Sequence, residues 1–201
     1  MLGNSAHFGR WDILQFETAG KTGLTLRYII GDATRPEGTG PQLLVHVCND
    51  IGGWGRGFVM ALSKVSRKPE EAYKRWSAGE TDQPFQLGEV QFVYVSEEFT
   101  VANLIGQHDI ARRNRPTAEP PVRYEAIRRG LRQVRALAQT RGGSVHMPRI
   151  GAGLAGGDWG RIESIILEEL VAHGLPVTVY DLIETRGEAP WLPDRSAWPP
   201  G

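Results

Sequence analysis

The sequence predicts an α/β domain, a sheet covered by helices on both faces. Three observations predict it. Short apolar or alternating runs of strand length recur along the chain, segments of helical period stand between them, and two glycine-rich turns each follow a strand-like run and precede a helix-like one. The 201 residues suffice for one domain with a single sizeable core, and 40% hydrophobic with 23% charged residues is an ordinary globular mixture.

Taken in order, residues 11–16 (WDILQF) offer an edge strand or an arm. Residues 24–30 (LTLRYII) alternate as a strand and stop at Gly31-Asp32, and ATRPEGTGP reads as a loop. Residues 43–48 (LLVHVC) form a short apolar run typical of a buried strand. After a glycine-rich turn, residues 58–76 read as a helix that Pro69 interrupts or restarts. Residues 90–95 (VQFVYV) and 100–105 (TVANLI) pair around the turn SEEF. A polar loop at 106–121 leads to a helix over 122–141, in which Tyr124, Ile127, Leu131, Val134 and Leu137 recur at helical spacing and Gly142-Gly143 is the stop. Residues 144–150 form a strand and a second glycine-rich loop follows it. A helix over 162–173 stops at Gly174, and residues 177–182 (VTVYDL) form the last strand. The organisation expected is an arm or edge strand at 1–23, the domain at 24–183 and a Pro-rich tail at 184–201.

Lys+Arg and Asp+Glu both number 23, so bulk charge points to neither nucleic acid nor membrane, and any anion must meet a local site. The single cysteine, Cys48, forms no intrachain disulfide and belongs to no zinc spacing, which fits a reducing cytoplasm. No charged segment followed by an apolar run opens the chain, and no apolar stretch reaches the ~20 residues of a membrane span.

The chemistry concentrates in the two glycine loops, HVCNDIGGWGRGF at 46–58 and MPRIGAGLAGGDW at 147–159. In an open α/β sheet ligands bind beyond the carboxyl ends of the strands. Glycine lets backbone approach a phosphate, and the following helix offers unpaired N–H groups and a positive dipole end. Two such loops on one crevice suit a diphosphate with a sugar on either side. Neither is a P-loop, since no GK[ST] follows, and neither fits the GxGxxG fingerprint.

At these residues, together with Gly31-Asp32-Ala33, the chain resembles the macrodomain family from about Leu24 to Leu182, in particular the branch of the terminal ADP-ribose protein glycohydrolase and the ADP-ribose 1″-phosphate phosphatases. MPRIGAGL is the most specific string. The resemblance implies a mixed central sheet with helices on both faces and ADP-ribose as ligand. It implies that Asp32 accepts from the adenine amino group with the Ala33 N–H nearby, and that Asn49 contacts the distal ribose. Gly53, Trp54, Gly55, Arg56, Gly57 and Phe58 would wrap the distal ribose and α-phosphate. Gly151, Ala152, Gly153, Leu154 and Ala155 would turn N–H groups to the diphosphate, and Tyr180 would lie by the adenine.

The chain also departs from that branch. No lysine stands in Gly106-Gln107-His108-Asp109, and Ala155 occupies the place of the branch's acid, which argues against a lysyl intermediate. Asn49, Gln107, His108 and Asp109 are the catalytic candidates: His108 or Asp109 as acid or base, the two amides to orient water or ribose hydroxyls. The bland alternatives are a turn-capping Asn49, a turn-forming Asp32 and a solvated loop at 107–109. Cys48 reads as a small buried hydrophobe, Trp54 as a lid, and Trp159 as the anchor of its helix; Arg149 stays open between bracing the loop and facing phosphate. Arg112, Arg113, Arg115, Arg123, Arg128, Arg129, Arg132, Arg135 and Arg141 read as a solvated basic face, with a weak nucleic-acid or poly-ADP-ribose patch as the alternative. The activity expected is hydrolysis of the ester joining ADP-ribose to acidic protein side chains, without metal or cofactor. Phosphatase action motivated by His46-x-x-Asn49, a non-catalytic reader and a DNA-base hydrolase stay open. The partners expected are ADP-ribose and mono-ADP-ribosylated proteins, and the protein is expected to be a monomer; no membrane is expected, and among nucleic acids only an ADP-ribosylated one stays open.

Overall fold

Residues 16–19, 25–110 and 119–182 are described by a computed structural model. One seven-stranded sheet runs in the order β1-β2-β7-β6-β3-β5-β4. Its strands are β1 (Phe16–Ala19), β2 (Thr25–Ile30), β3 (Gln42–Asn49), β4 (Val90–Tyr94), β5 (Phe99–Gln107), β6 (Ser144–Pro148) and β7 (Val177–Asp181). The five inner strands are parallel, and only the edges, β1 against β2 and β4 against β5, are antiparallel. The sheet is therefore mixed, as the resemblance implied.

Alternation along β3 shows how two helical layers are supported. Leu43 and Val45 belong to the large core with Ile127, Leu131 and Val134 of α3 (Tyr124–Arg141) and with Ile162, Ile165 and Ile166 of α4 (Trp159–Glu169). The opposite face sends Leu44 to Leu62 of α1 (Phe58–Val65), and Cys48 to Tyr73 and Trp76 of α2 (Lys68–Ser77). A strand buried on both faces reads as an unbroken apolar run, which is what the sequence displays here.

Several elements differ from expectation. The edge strand forms at Phe16–Ala19; residues 11–15 lie outside the described residues, as do residues 1–10, Gly20 and the tail from 183. The helix expected over 58–76 is two helices, with Pro69 in the first turn of α2, where a missing N–H removes no intrahelical bond. Val122 lies before α3 and bridges to Gln107. The last helix begins early, at Trp159, and ends in a 3₁₀ turn at Val171–His173. Gly142 does close α3, in the left-handed conformation.

The arginine face of α3 is not simply solvated. Arg128, Arg132 and Arg135 converge on the Glu169 carboxylate of α4, at 3.1, 3.0 and 3.4 Å. The Arg132 hydrogen bond leads in holding that carboxyl below its ordinary range. Arg129 donates to the Leu87 carbonyl and Arg141 to the Glu97 carbonyl. The patch considered from sequence is thus spent largely on tying α3 to its neighbours, while Arg112, Arg113 and Arg115 lie outside the described residues.

Candidate functional site

Because β3 and β6 pair in parallel, the loops that follow them leave the same edge of the sheet side by side. They meet where a Cβ placed on Gly57 would lie 3.2 Å from Leu154 Cδ1. Gly57 sits at φ 75°, a conformation that disfavours any side chain.

The first loop is shaped by side chains. Asn49 Oδ1 accepts from the N–H groups of Ile51 (3.2 Å) and Gly53 (2.8 Å), and Nδ2 donates to the Gly53 carbonyl (2.6 Å). The Tyr73 hydroxyl donates to the Asn49 carbonyl at 2.6 Å. The amide expected at the distal ribose therefore builds the turn. Trp54 is no lid: its ring packs edge-on against His46 and tilted against Tyr73, and its indole N–H donates to Ser63. Phe58 opens α1 and also leans on His46. Gly55, Arg56 and Gly57 remain exposed. No side chain caps α1, and no acidic residue stands in its first turn, so its amino end keeps a positive field.

The second loop is shaped by backbone. Gly157 N–H donates to the Gly151 carbonyl, Gly156 N–H to that of Gly153, and Ala152 N–H reaches back to Arg149 at 3.4 Å. The N–H groups of Gly153, Leu154 and Ala155 have no acceptor among the described residues. Here the helix end is closed, because Asp158 accepts from the Arg161 N–H at 2.8 Å. Arg149 braces the loop: it grips Asp181 at 2.7 and 2.9 Å, with its guanidinium over the rings of Tyr28 and Trp159. Trp159 anchors its helix through a bond to the Tyr28 hydroxyl, which itself donates to Glu163.

At one side of this edge Asp32 is exposed, with Oδ1 accepting from the Thr34 N–H and hydroxyl at 2.9 and 2.8 Å. Ala33 is buried beside it. Tyr180 does not face the crevice. It is buried, accepts from the Glu37 N–H and bonds His146, so it supports the Asp32 loop from below. Ile30 and Leu182, which the sequence reading passed over, expose apolar surface at the ends of neighbouring strands.

At the other side β5 ends in Gln107-His108-Asp109. Gln107 Nε2 donates to the Asp109 carbonyl at 2.8 Å, and Asp109 Oδ1 accepts from the Ile110 N–H. Asp109 adopts φ 57°, alone among the described non-glycine residues. The partner that sequence reasoning missed is Asp50. Its Oδ2 lies 2.7 Å from His108 Nδ1, and its Oδ1 accepts from the Asp109 N–H at 2.8 Å. This corner joins the second loop through His108 N–H to Pro121 and Val122 N–H to Ala155. His46 does not reach the crevice. It is 1% exposed and bonded to Asn103, and burial lowers its pKa to about 4. Cys48 is buried as expected, which raises its thiol pKa.

No family model matches the chain. Solved structures do. A Bacteroides thetaiotaomicron protein of unknown function is 52% identical, covering 77% of this chain and 96% of that one, with a TM-score of 0.72. A macrodomain protein from Streptomyces coelicolor is 48% identical, with 77% and 97% covered and a TM-score of 0.67. The chain belongs to the macrodomain family. Among more distant folds is Thermosipho africanus DarTG in complex with ADP-ribose, at 16% identity, 81% of this chain, 43% of that chain and a TM-score of 0.58. Mouse chromodomain-helicase-DNA-binding protein 1-like is 29% identical over 165 residues, and the chain spans only 18% of its length.

Proposed function

We propose that the protein binds ADP-ribose in the crevice between the two glycine loops and hydrolyses its ester linkage to acidic protein side chains. The observation that carries the reading is the pairing of an uncapped helix end at Gly57–Phe58 with acceptor-free N–H groups at Gly153–Ala155, across the Gly57–Leu154 contact. Two such donor sets on adjacent loops suit the charge of a diphosphate. Family membership and the ADP-ribose held by the Thermosipho fold support the same ligand. Asp32 stands at the adenine end, with Oδ2 free of partners among the described residues. The hydroxyl-bearing distal ribose lies toward the 107–109 corner, where His108 and Asp109 meet the ester. Asn49 and Gln107 act there by holding the loops. An ester leaving group departs as a carboxylate, so little acid assistance is required and the missing lysine is tolerated.

The phosphatase alternative loses its motif, because His46 is buried under Trp54. The test is incubation with a glutamate-linked mono-ADP-ribosylated peptide, with released ADP-ribose followed by chromatography and ADP-ribose binding measured by calorimetry. Release by the wild type is expected. Binding without release would leave a reader; no binding would overturn the ligand as well.

A further inference from the structure

We infer that Asp50 and His108 form a carboxylate–imidazole dyad that activates the attacking water, with Asp50 as the positioning residue. This rests on the hydrolase reading above. The geometry is specific. Asp50 is shielded, with its side chain 17% exposed, whereas the His108 ring is 58% exposed. An ionised carboxylate only accepts hydrogen bonds, so Oδ2 at 2.7 Å requires the proton of the neutral ring on Nδ1. The lone pair is then left on Nε2 of a ring that is more than half exposed. The second carboxylate oxygen is occupied by the Asp109 N–H, which fixes the carboxylate plane and holds Asp109 in its left-handed conformation. Backbone closes the frame, since Asp50 N–H donates to Gln107 and His108 N–H to Pro121.

The Asp50 carboxylate thus ties the first glycine loop to the end of β5, and a backbone bond from His108 to Pro121 ties that corner to the segment bonded to the second loop. Non-glycine backbone in the left-handed region is costly and persists where surrounding structure enforces it. Among the described residues, the charged groups close to the imidazole are Asp50, Asp109 on its own loop, and Arg123, whose guanidinium bonds the carbonyls of Pro120, Pro121 and Val122; Arg129 lines a shallow depression with Asp50.

In the step itself, Nε2 takes a proton from water as the water oxygen bonds the anomeric carbon of the distal ribose. The bond from that carbon to the ester oxygen breaks, and its electron pair leaves on the side-chain carboxylate. The products are ADP-ribose with a free hydroxyl and the restored acidic side chain; the imidazolium then gives its proton to solvent.

The test compares wild type, His108→Ala and Asp50→Asn, the last retaining shape and an acceptor for the Asp109 N–H. General-base loss predicts kcat for His108→Ala lower by about 100-fold, with KM and ADP-ribose affinity within about threefold. The pH profile of kcat differs between wild type and His108→Ala. Asp50→Asn loses kcat rather than affinity. By nitrogen NMR the wild-type ring is protonated on Nδ1, and Asp50→Asn populates the other tautomer. A wild type that turns over while His108→Ala keeps its rate and pH profile overturns the dyad alone, as does an unchanged tautomer in Asp50→Asn. A wild type that binds ADP-ribose and releases nothing overturns the hydrolase reading and the dyad with it.

Discussion

The two glycine loops look alike in sequence and are built by opposite means. The loop after β3 is held by side chains (Asn49 within it, Tyr73 and Trp54 beneath it, His46 as its floor) and passes into a helix with an open amino end. The loop after β6 is held, beyond the Arg149 brace at its start, by its own backbone over the aliphatic side chains of Val122, Ile127 and Ile162, and passes into a helix whose end Asp158 closes. Glycine serves different ends in the two. In the first it lets the chain turn so that a helix dipole faces the crevice. In the second it lets consecutive N–H groups face the crevice themselves.

The largest effect is expected where the second loop has no room. A Cβ on Gly157 would meet the Gly151 carbonyl oxygen at 2.7 Å, a backbone atom that cannot move without opening the loop. Gly157→Val should therefore abolish measurable ADP-ribose binding by calorimetry and lower stability by about 1–3 kcal/mol in urea unfolding, as overpacking does. Binding that survives would mean the second loop is not the diphosphate cradle. Next in size is an effect of acid on the first loop. Burial depresses the pKa of His46 to about 4, below the ordinary 6.5, so the folded chain keeps the ring neutral while the unfolded chain protonates it. Between those values the unfolded state binds more protons, so stability is full above about pH 6.5 and falls toward pH 4, by on the order of 3 kcal/mol from this ring. Buried His146, likewise lowered to about 4, adds to the fall. Urea midpoints measured from pH 7.5 to 4.5 should fall less steeply in His46→Gln, which has no ring to charge. An equal slope would show that the polar floor of the first loop does not titrate.

The fold was legible where burial on both faces or a helical stripe wrote itself into the sequence, as in 43–48 and 122–141. It was less legible at the edge, where 16–19 carries only the weak pattern of a strand paired on one side. In the site, the glycine loops announced themselves, but Asp50 did not. An Asn-Asp pair after a strand reads as a turn, and the contact that gives Asp50 meaning lies 58 residues away in the chain. Trp54 was misread because an aromatic beside glycines suggests exposure. The pocket that holds it is made by His46 and Tyr73, brought together only when α2 packs on β3. The arginine face of α3 was misread because its partner Glu169 lies 34 to 41 residues away in the chain. A carboxylate on the buried stripe of α4 was the available signal that a cation must meet it.

Smaller changes separate the two designs. Asn49→Ala removes both bonds that the amide makes to Gly53 and the one it accepts from Ile51, and it leaves those backbone groups unpaired. A loss of about 1–3 kcal/mol in stability is expected, with ADP-ribose affinity down about tenfold as the first loop loosens. Asp158→Ala should cost only about 1 kcal/mol, the ordinary value of a lost helix cap. Its value lies in the binding measurement. Asp158 closes the end of α4, and the cradle of the second loop is made by N–H groups that precede it, at Gly153, Leu154 and Ala155. ADP-ribose affinity should therefore stay within about twofold of wild type, a difference below ~0.5 kcal/mol. If affinity instead rises, removal of the carboxylate has turned α4 into a second open helix end, and the asymmetry between the loops depends on that one cap. If it falls as far as in Asn49→Ala, the second loop is held by its helix rather than by its own backbone, and the contrast between the two loops fails.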